Sequence, residues 1–227
     1  MSAIDEHGIS TVTISGPEGN LLNPEVMSAV DADLRAADAN PDVKAIIITG
    51  AGDTFCGGLD LAGIRAGGDP LEYAASLATL LKVFPKLTKP IAAVVNGDAV
   101  ASGSSIAAAC DYAVIADHAL IGSYEVAVGV WPMVAQVPLI HRIGTKRAME
   151  NIGSGNPFTA QRAFEVGLVN VVTTTAGLMD AARAWLTEAI RGGAANAGRV
   201  SFYELAELGY DEALDAALEK FAAQFRK

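Results

Sequence analysis

Cysteine is scarce in this sequence: it occurs twice, at Cys56 and Cys110, each in an apolar setting. Two thiols so placed are no disulfide framework and read as reduced, which sets the expectation of a cytoplasmic chain. The three histidines, His7, His118 and His141, lack metal-ligand spacing, so no metal site is expected. Positive charge is also in deficit, with 16 Lys and Arg against 26 Asp and Glu and a net charge of −10. A basic footprint for nucleic acid is therefore absent, and anionic membrane surfaces are disfavoured. Uninterrupted apolar runs such as Ala45 to Ile48 and Ala113 to Ala116 are far shorter than the roughly 20 residues that cross a bilayer. The opening M-S-A-I-D-E-H-G has neither a basic n-region nor an apolar h-region, so no signal peptide is expected. Repeats and low-complexity tracts are missing too.

What is present is apolar. Of 227 residues, 51% are hydrophobic and mean hydropathy is +0.32, enough for one sizeable core or a buried subunit interface. Ile9 to Ser15 alternates apolar and polar residues and predicts a half-buried strand. Asn23-Pro24-Glu25 opens a helix to about Ala39, with Asn as cap and Pro at the first helical position. Val43 to Thr49 and Ile91 to Val95 are continuously apolar, as strands covered on both faces are. A helix is expected from Leu71 to Phe84, a strand from Tyr112 to Ala116, and helices at Val134 to Ile143 and Thr145 to Gly153. A short helix from Thr159 ends at Gly167, and Leu168 to Thr173 is the last strand. From Leu178 the chain reads as helical, broken at Gly192-Gly193 and around Gly198. This βαβαβα order with a helical end predicts an α/β fold with repeated crossovers.

Two glycine-rich turns join strands to helices, at Gly50 to Asp60 and at Asn96 to Ser105. The second is a run of small residues opening a buried helix, where unpaired backbone N–H groups can hold negative charge. A dinucleotide fingerprint fails on spacing, because Gly50 and Gly52 are followed by Gly57 and not by a glycine at Phe55. The P-loop pattern is missing as well. A serine hydrolase would need Ser102, Ser104 or Ser105 as nucleophile, with His118 or His141 as base. The G-x-S-x-G elbow is absent, however, and the serines read as small residues in a tight turn. Lys82, Lys86 and Lys89 cluster ahead of the second turn and are candidates to meet an anionic ligand.

The assembled motifs resemble the enoyl-CoA hydratase/isomerase (crotonase) superfamily over nearly the whole chain. The matching pieces are Leu21-Leu22-Asn23-Pro24, Gly50 to Leu61, Lys89 to Asp111, Gly122 to Glu125 with Gly129, then Gly144, and Ala163 to Val169. The resemblance implies a crotonase-like spiral of ββα repeats over residues 1–174, with a C-terminal helical trimerisation region over 175–227. It further implies an acyl-CoA substrate, no cofactor beyond the coenzyme A which that substrate carries, and a homotrimer or hexamer. The backbone amides of Leu59 and Ser102 would form the oxyanion hole, the second at a position where the family usually has glycine. Leu21, Gly57, Gly58, Asp60, Leu61 and Trp131 would contact substrate or coenzyme A, and Phe84, Tyr124 and Met133 are further candidates for the acyl pocket. Family chains commonly continue past the Leu214 to Phe225 helix with a segment that helps cover coenzyme A. This sequence stops at Lys227, so the adenine is expected to be held differently.

The acids decide the branch. Family hydratases hold a water between two glutamates; Glu125 matches the second, but Ser105 stands at the first. Another branch places its acid eight residues beyond the second glutamate, and here that position is Met133. One carboxylate remains, beside apolar Val126, Ala127 and Val128. This favours a Δ3-Δ2 enoyl-CoA isomerase-like proton shuttle. The alternatives are a one-carboxylate 2-enoyl-CoA hydratase and a non-catalytic acyl-CoA-binding protein.

Overall fold

A computed structural model describes residues 4–225. The chain starts with β1 (Ile9–Ile14), α1 (Pro24–Ala39) and β2 (Ala45–Gly50), followed by α2 (Leu61–Arg65) and α3 (Pro70–Leu81). Then come β3 (Ile91–Val95), β4 (Ala99–Val100), α4 (Ser102–Ala109), β5 (Tyr112–Ala116) and β6 (Leu120–Gly122). The remainder is α5 (Gln136–Ile152), β7 (Phe158–Thr159), α6 (Ala160–Val166), β8 (Val171–Thr173), α7 (Leu178–Ile190), α8 (Ala194–Ala206) and α9 (Tyr210–Gln224). Strands pair in the order β1-β2-β3-β5-β8, all parallel, and a second small sheet has the order β4-β6-β7. The expected α/β crossover fold with a helical C-terminal region is what the chain adopts.

The reasons are local. Asn23 caps α1 by accepting from the Val26 N–H at 2.8 Å, with Pro24 in the first turn, where its missing N–H costs nothing. β3 is buried at every position and β2 at all but one, so their apolar runs lie between layers of helices. α7 packs Leu178, Ala182 and Leu186 into the same core. The expected pair of helices from Val134 to Gly153 forms α5, broken at Gly144, whose φ of 76° interrupts the helix.

Two expectations need correction. Gly198 does not break the chain: α8 runs through it, and the break falls at Leu208-Gly209. Lys89 is buried and donates from Nζ to the carbonyls of Ala37 (2.7 Å) and Asn40, at the end of α1. It neutralises the negative end of a helix and is buried away from solvent. The apolar stretch after Tyr124 forms a 3₁₀ turn, Glu125–Val128, with Ala127 and Val128 exposed.

The C-terminal helices are tied on by a buried ion pair. Arg199 of α8, 7% exposed, donates through Nε and Nη2 to both oxygens of Asp111, each at 2.7 Å, and through Nη1 to the Leu87 carbonyl. Tyr203 donates to Asp111 Oδ1, and the Ile91 N–H donates to Oδ2 at 2.9 Å. Beyond this tie, α9 buries no residue of its own, and Leu214, Leu218, Phe221 and Phe225 are exposed. Among the described residues, no helix is long and apolar enough to cross a membrane. Removing one member of a buried pair strands the other charge. Arg199→Ala is therefore expected to lower unfolding free energy by about 3–5 kcal/mol, read as a reduced denaturant midpoint.

Candidate active site

The parallel strands β2 and β3 are neighbours, so the loops at their carboxyl ends leave the sheet side by side, the place where open α/β sheets bind ligands. The first loop passes Leu22, which donates to the Gly58 carbonyl at 2.8 Å and accepts from the Asp60 N–H at 2.9 Å. In this bridge the intervening Leu59 turns its own N–H to the other side. Asp60 then caps α2 by accepting from the Gly63 N–H at 2.9 Å. Cys56 bridges to Ala99 of the second loop, which brings the two segments into contact.

Contact is closest between Gly58 and Ala101. Gly58 has φ +96°, and a Cβ there would lie 2.6 Å from the Ala101 Cβ, so only glycine fits. Ala101 itself is strained, with φ 51° and ψ −125°, a backbone state that non-glycine residues rarely adopt. Directly after it Ser102 begins α4, where the first N–H groups of a helix have no internal partner. The Leu59 and Ser102 amides have no acceptor among the described residues. Gly103 allows α4 to start this close to the first loop, since a Cβ there would meet the Cys56 carbonyl oxygen at 2.3 Å. Burial pushes the Cys56 thiol up to about 12, only partly offset by the Gly58 backbone, which keeps it protonated and unreactive.

Both residues that carry the free amides line one cavity of about 200 Å³, together with Leu61, Leu77, Tyr124, Glu125, Trp131 and Met133. Glu125 is the single carboxylate in that wall. Its Oε2 accepts from Ser123 Oγ at 2.5 Å and from the Tyr124 N–H at 3.0 Å. Ser123 is held in turn by Asn151 of α5, fully buried, which accepts from the Ser123 N–H at 2.7 Å and donates to its carbonyl at 2.9 Å. Neither Ser123 nor Asn151 was singled out from the sequence.

The other candidates divide. Leu61 and Trp131 face the cavity, and the Trp131 indole N–H donates to Gln136 Oε1 at 3.0 Å. Leu21, Gly57, Gly58 and Asp60 build the loop behind the wall and do not line it. Phe84 is core, 0% exposed. Ser105 is fully buried and donates from Oγ to the Ala135 carbonyl at 2.6 Å, and Ser104 donates to the Ala101 carbonyl at 2.7 Å. No histidine lines the cavity; His118 is exposed and lies 3.5 Å from the Asp117 carboxylate. A serine nucleophile and its base are therefore not assembled here. Of the apolar run beside Glu125, Val128 lines the cavity from an exposed turn, and Leu77, Trp131 and Val134 add to the apolar wall.

Comparison with known proteins gives the same picture. Residues 5–219 match the family model described as enoyl-CoA hydratase/isomerase. A putative enoyl-CoA hydratase of Thermus thermophilus is 31% identical over 195 residues, covering 83% of this chain and 77% of that one. A probable enoyl-CoA hydratase of Bacillus subtilis is 30% identical over 173 residues, covering 74% and 67%. The peroxisomal bifunctional enzyme of Cavia porcellus is 28% identical over 178 residues, and there the match covers only 24% of the longer protein. This chain thus spans about a quarter of the length of that multifunctional relative. Among solved structures, an enoyl-CoA hydratase of Mycobacterium smegmatis superposes with a TM-score of 0.92 at 27% identity, over 100% of this chain and 91% of that one. With the motifs, the fold and the family match in agreement, the chain belongs to the enoyl-CoA hydratase/isomerase family.

Proposed function

We propose that this protein is a Δ3-Δ2 enoyl-CoA isomerase-like enzyme that shuttles one proton with Glu125. The observation carrying this reading is that Glu125 is the one acid in the cavity wall, while Ser105 is buried and bonded away to Ala135. In the proposed reaction the 3-enoyl thioester carbonyl oxygen sits between the Leu59 and Ser102 amides. The Glu125 carboxylate takes a proton from C2, and the electron pair spreads over a dienolate whose oxygen the two N–H groups stabilise. The same carboxylic acid then returns the proton to C4, leaving the double bond between C2 and C3. Nothing is oxidised or reduced, and no cofactor is drawn on beyond the substrate's own coenzyme A. Positioned acid–base groups contribute about 10²–10⁴-fold, and each oxyanion donor about 10²–10³-fold.

A second reading, one-carboxylate hydration of a 2-enoyl thioester, is favoured by the names of the Thermus and Bacillus relatives. It lacks the second group that would orient the water. The protein is further proposed to be a homotrimer or a hexamer of two trimers, located in the cytoplasm. The contiguous apolar face of α9 and Phe202 of α8 supports assembly, since monomers rarely leave such patches bare.

Three outcomes are expected. On a panel of 2-enoyl, 3-enoyl and 3-hydroxyacyl-CoA thioesters, turnover is greatest with 3-enoyl substrates, and Glu125→Gln lowers kcat by at least about 10²-fold while ligand affinity is kept. Rapid hydration of crotonyl-CoA with 3-enoyl-CoA untouched favours the second reading, and equal turnover by Glu125→Gln removes that residue from the mechanism. Ser123→Ala releases one of the two donors that hold the carboxylate, so kcat is expected to fall about tenfold or more with KM little changed. Light scattering is expected to give a trimer or hexamer mass at micromolar concentration, and a monomer mass would refute the assembly.

A further inference from the structure

Met133 and Val134 line the site cavity on one side and, on the other, a second cavity of about 700 Å³. Helix α3 runs past both. Ala74 and Leu77 face the site, while Ala78 and Leu81, one turn on, face the larger space. Ala108 and Ala109 at the end of α4, Val137 of α5 and Phe202 of α8 complete a wall of small and apolar side chains. Lys82, His141, Arg142 and Glu207 border it; Arg142 donates to the Ala108 carbonyl at 2.9 Å and to the Cys110 carbonyl, and His141 Nδ1 lies 3.8 Å from the Glu207 carboxylate.

The proton shuttle uses only the first cavity, whose 200 Å³ is small beside the 300–1,000 Å³ typical of ligand sites. We propose that the second cavity is the compartment for the distal acyl chain, that Met133 and Val134 form the passage into it, and that the preferred substrates are long-chain acyl thioesters. This rests on the thioester reading of the first cavity. With a methylene taken as roughly the size of a water molecule, whose share of liquid volume is ~30 Å³, the compartment holds on the order of a dozen carbons with room at its open side. Each methylene moved from water into such a space gains roughly fourfold in affinity. Alanine at positions 78, 108 and 109 keeps the space open; larger side chains there would fill it.

The test is the affinity of the intact protein for butyryl-, octanoyl-, lauroyl- and palmitoyl-CoA, measured by titration calorimetry below their micellar concentrations. The same is measured for Ala78→Phe and Val137→Trp, which narrow the compartment from two different helices. Wild-type affinity is expected to rise at least tenfold from butyryl to lauroyl. Each variant is expected to cut that ratio by about tenfold, and either variant suffices should the other fail to fold. Overturning results are a flat series in the wild type, or a ratio retained by every folded variant. If butyryl-CoA binds without gain from lengthening, the compartment falls and the thioester site stands. If no acyl-CoA binds at any length, both fall.

Discussion

Two backbone N–H groups can converge on one oxygen only where the segments bearing them come into van der Waals contact. In this chain the contact is made by Gly58 and Ala101. The parallel pairing of β2 and β3 sets the two loops next to each other. The bridges from Leu22 to Leu59 and from Cys56 to Ala99 fix their register, and Leu59 and Ser102 come to line the same cavity. Strain at Ala101 is tolerated because its surroundings over-determine it, and it falls directly before the Ser102 amide at the cavity wall.

Most of the frame was legible in the residues. Asn23-Pro24 announced a helix start, continuous apolar runs announced buried parallel strands, and the Gly-rich turns marked where the backbone is bare. What escaped has physical reasons. β4 and β7 have two residues each, too few to show any periodicity. Gly198 looked like a breaker, but a lone glycine inside a helix costs only about 1 kcal/mol, too little by itself to end α8. Asn151 reads as an ordinary polar residue on a helix, and only the fold carries it to Ser123 and so to Glu125, 26 positions earlier in the chain. The apolar run after Glu125 gives no sign in its composition that it forms a short turn with Ala127 and Val128 in water.

The Arg199–Asp111 pair connects the two parts of the molecule in a way that composition hides. Asp111 also accepts from the Ile91 N–H, so the same carboxylate that receives α8 secures the start of β3, the strand whose far end leads to the Ser102 amide. Roof and floor of the larger cavity are therefore referenced to one anchor.

The Ser105 hydroxyl holds the Ala135 carbonyl and so pins the turn that carries Trp131 and Met133 into α5. An evolutionary cost follows. Introducing glutamate at this position would take the Ser105 hydroxyl from that carbonyl and set a carboxylate against the carbonyl oxygen in a fully buried place. A second acid at this position therefore calls for a new partner for the Ala135 carbonyl and a change in the turn that carries it.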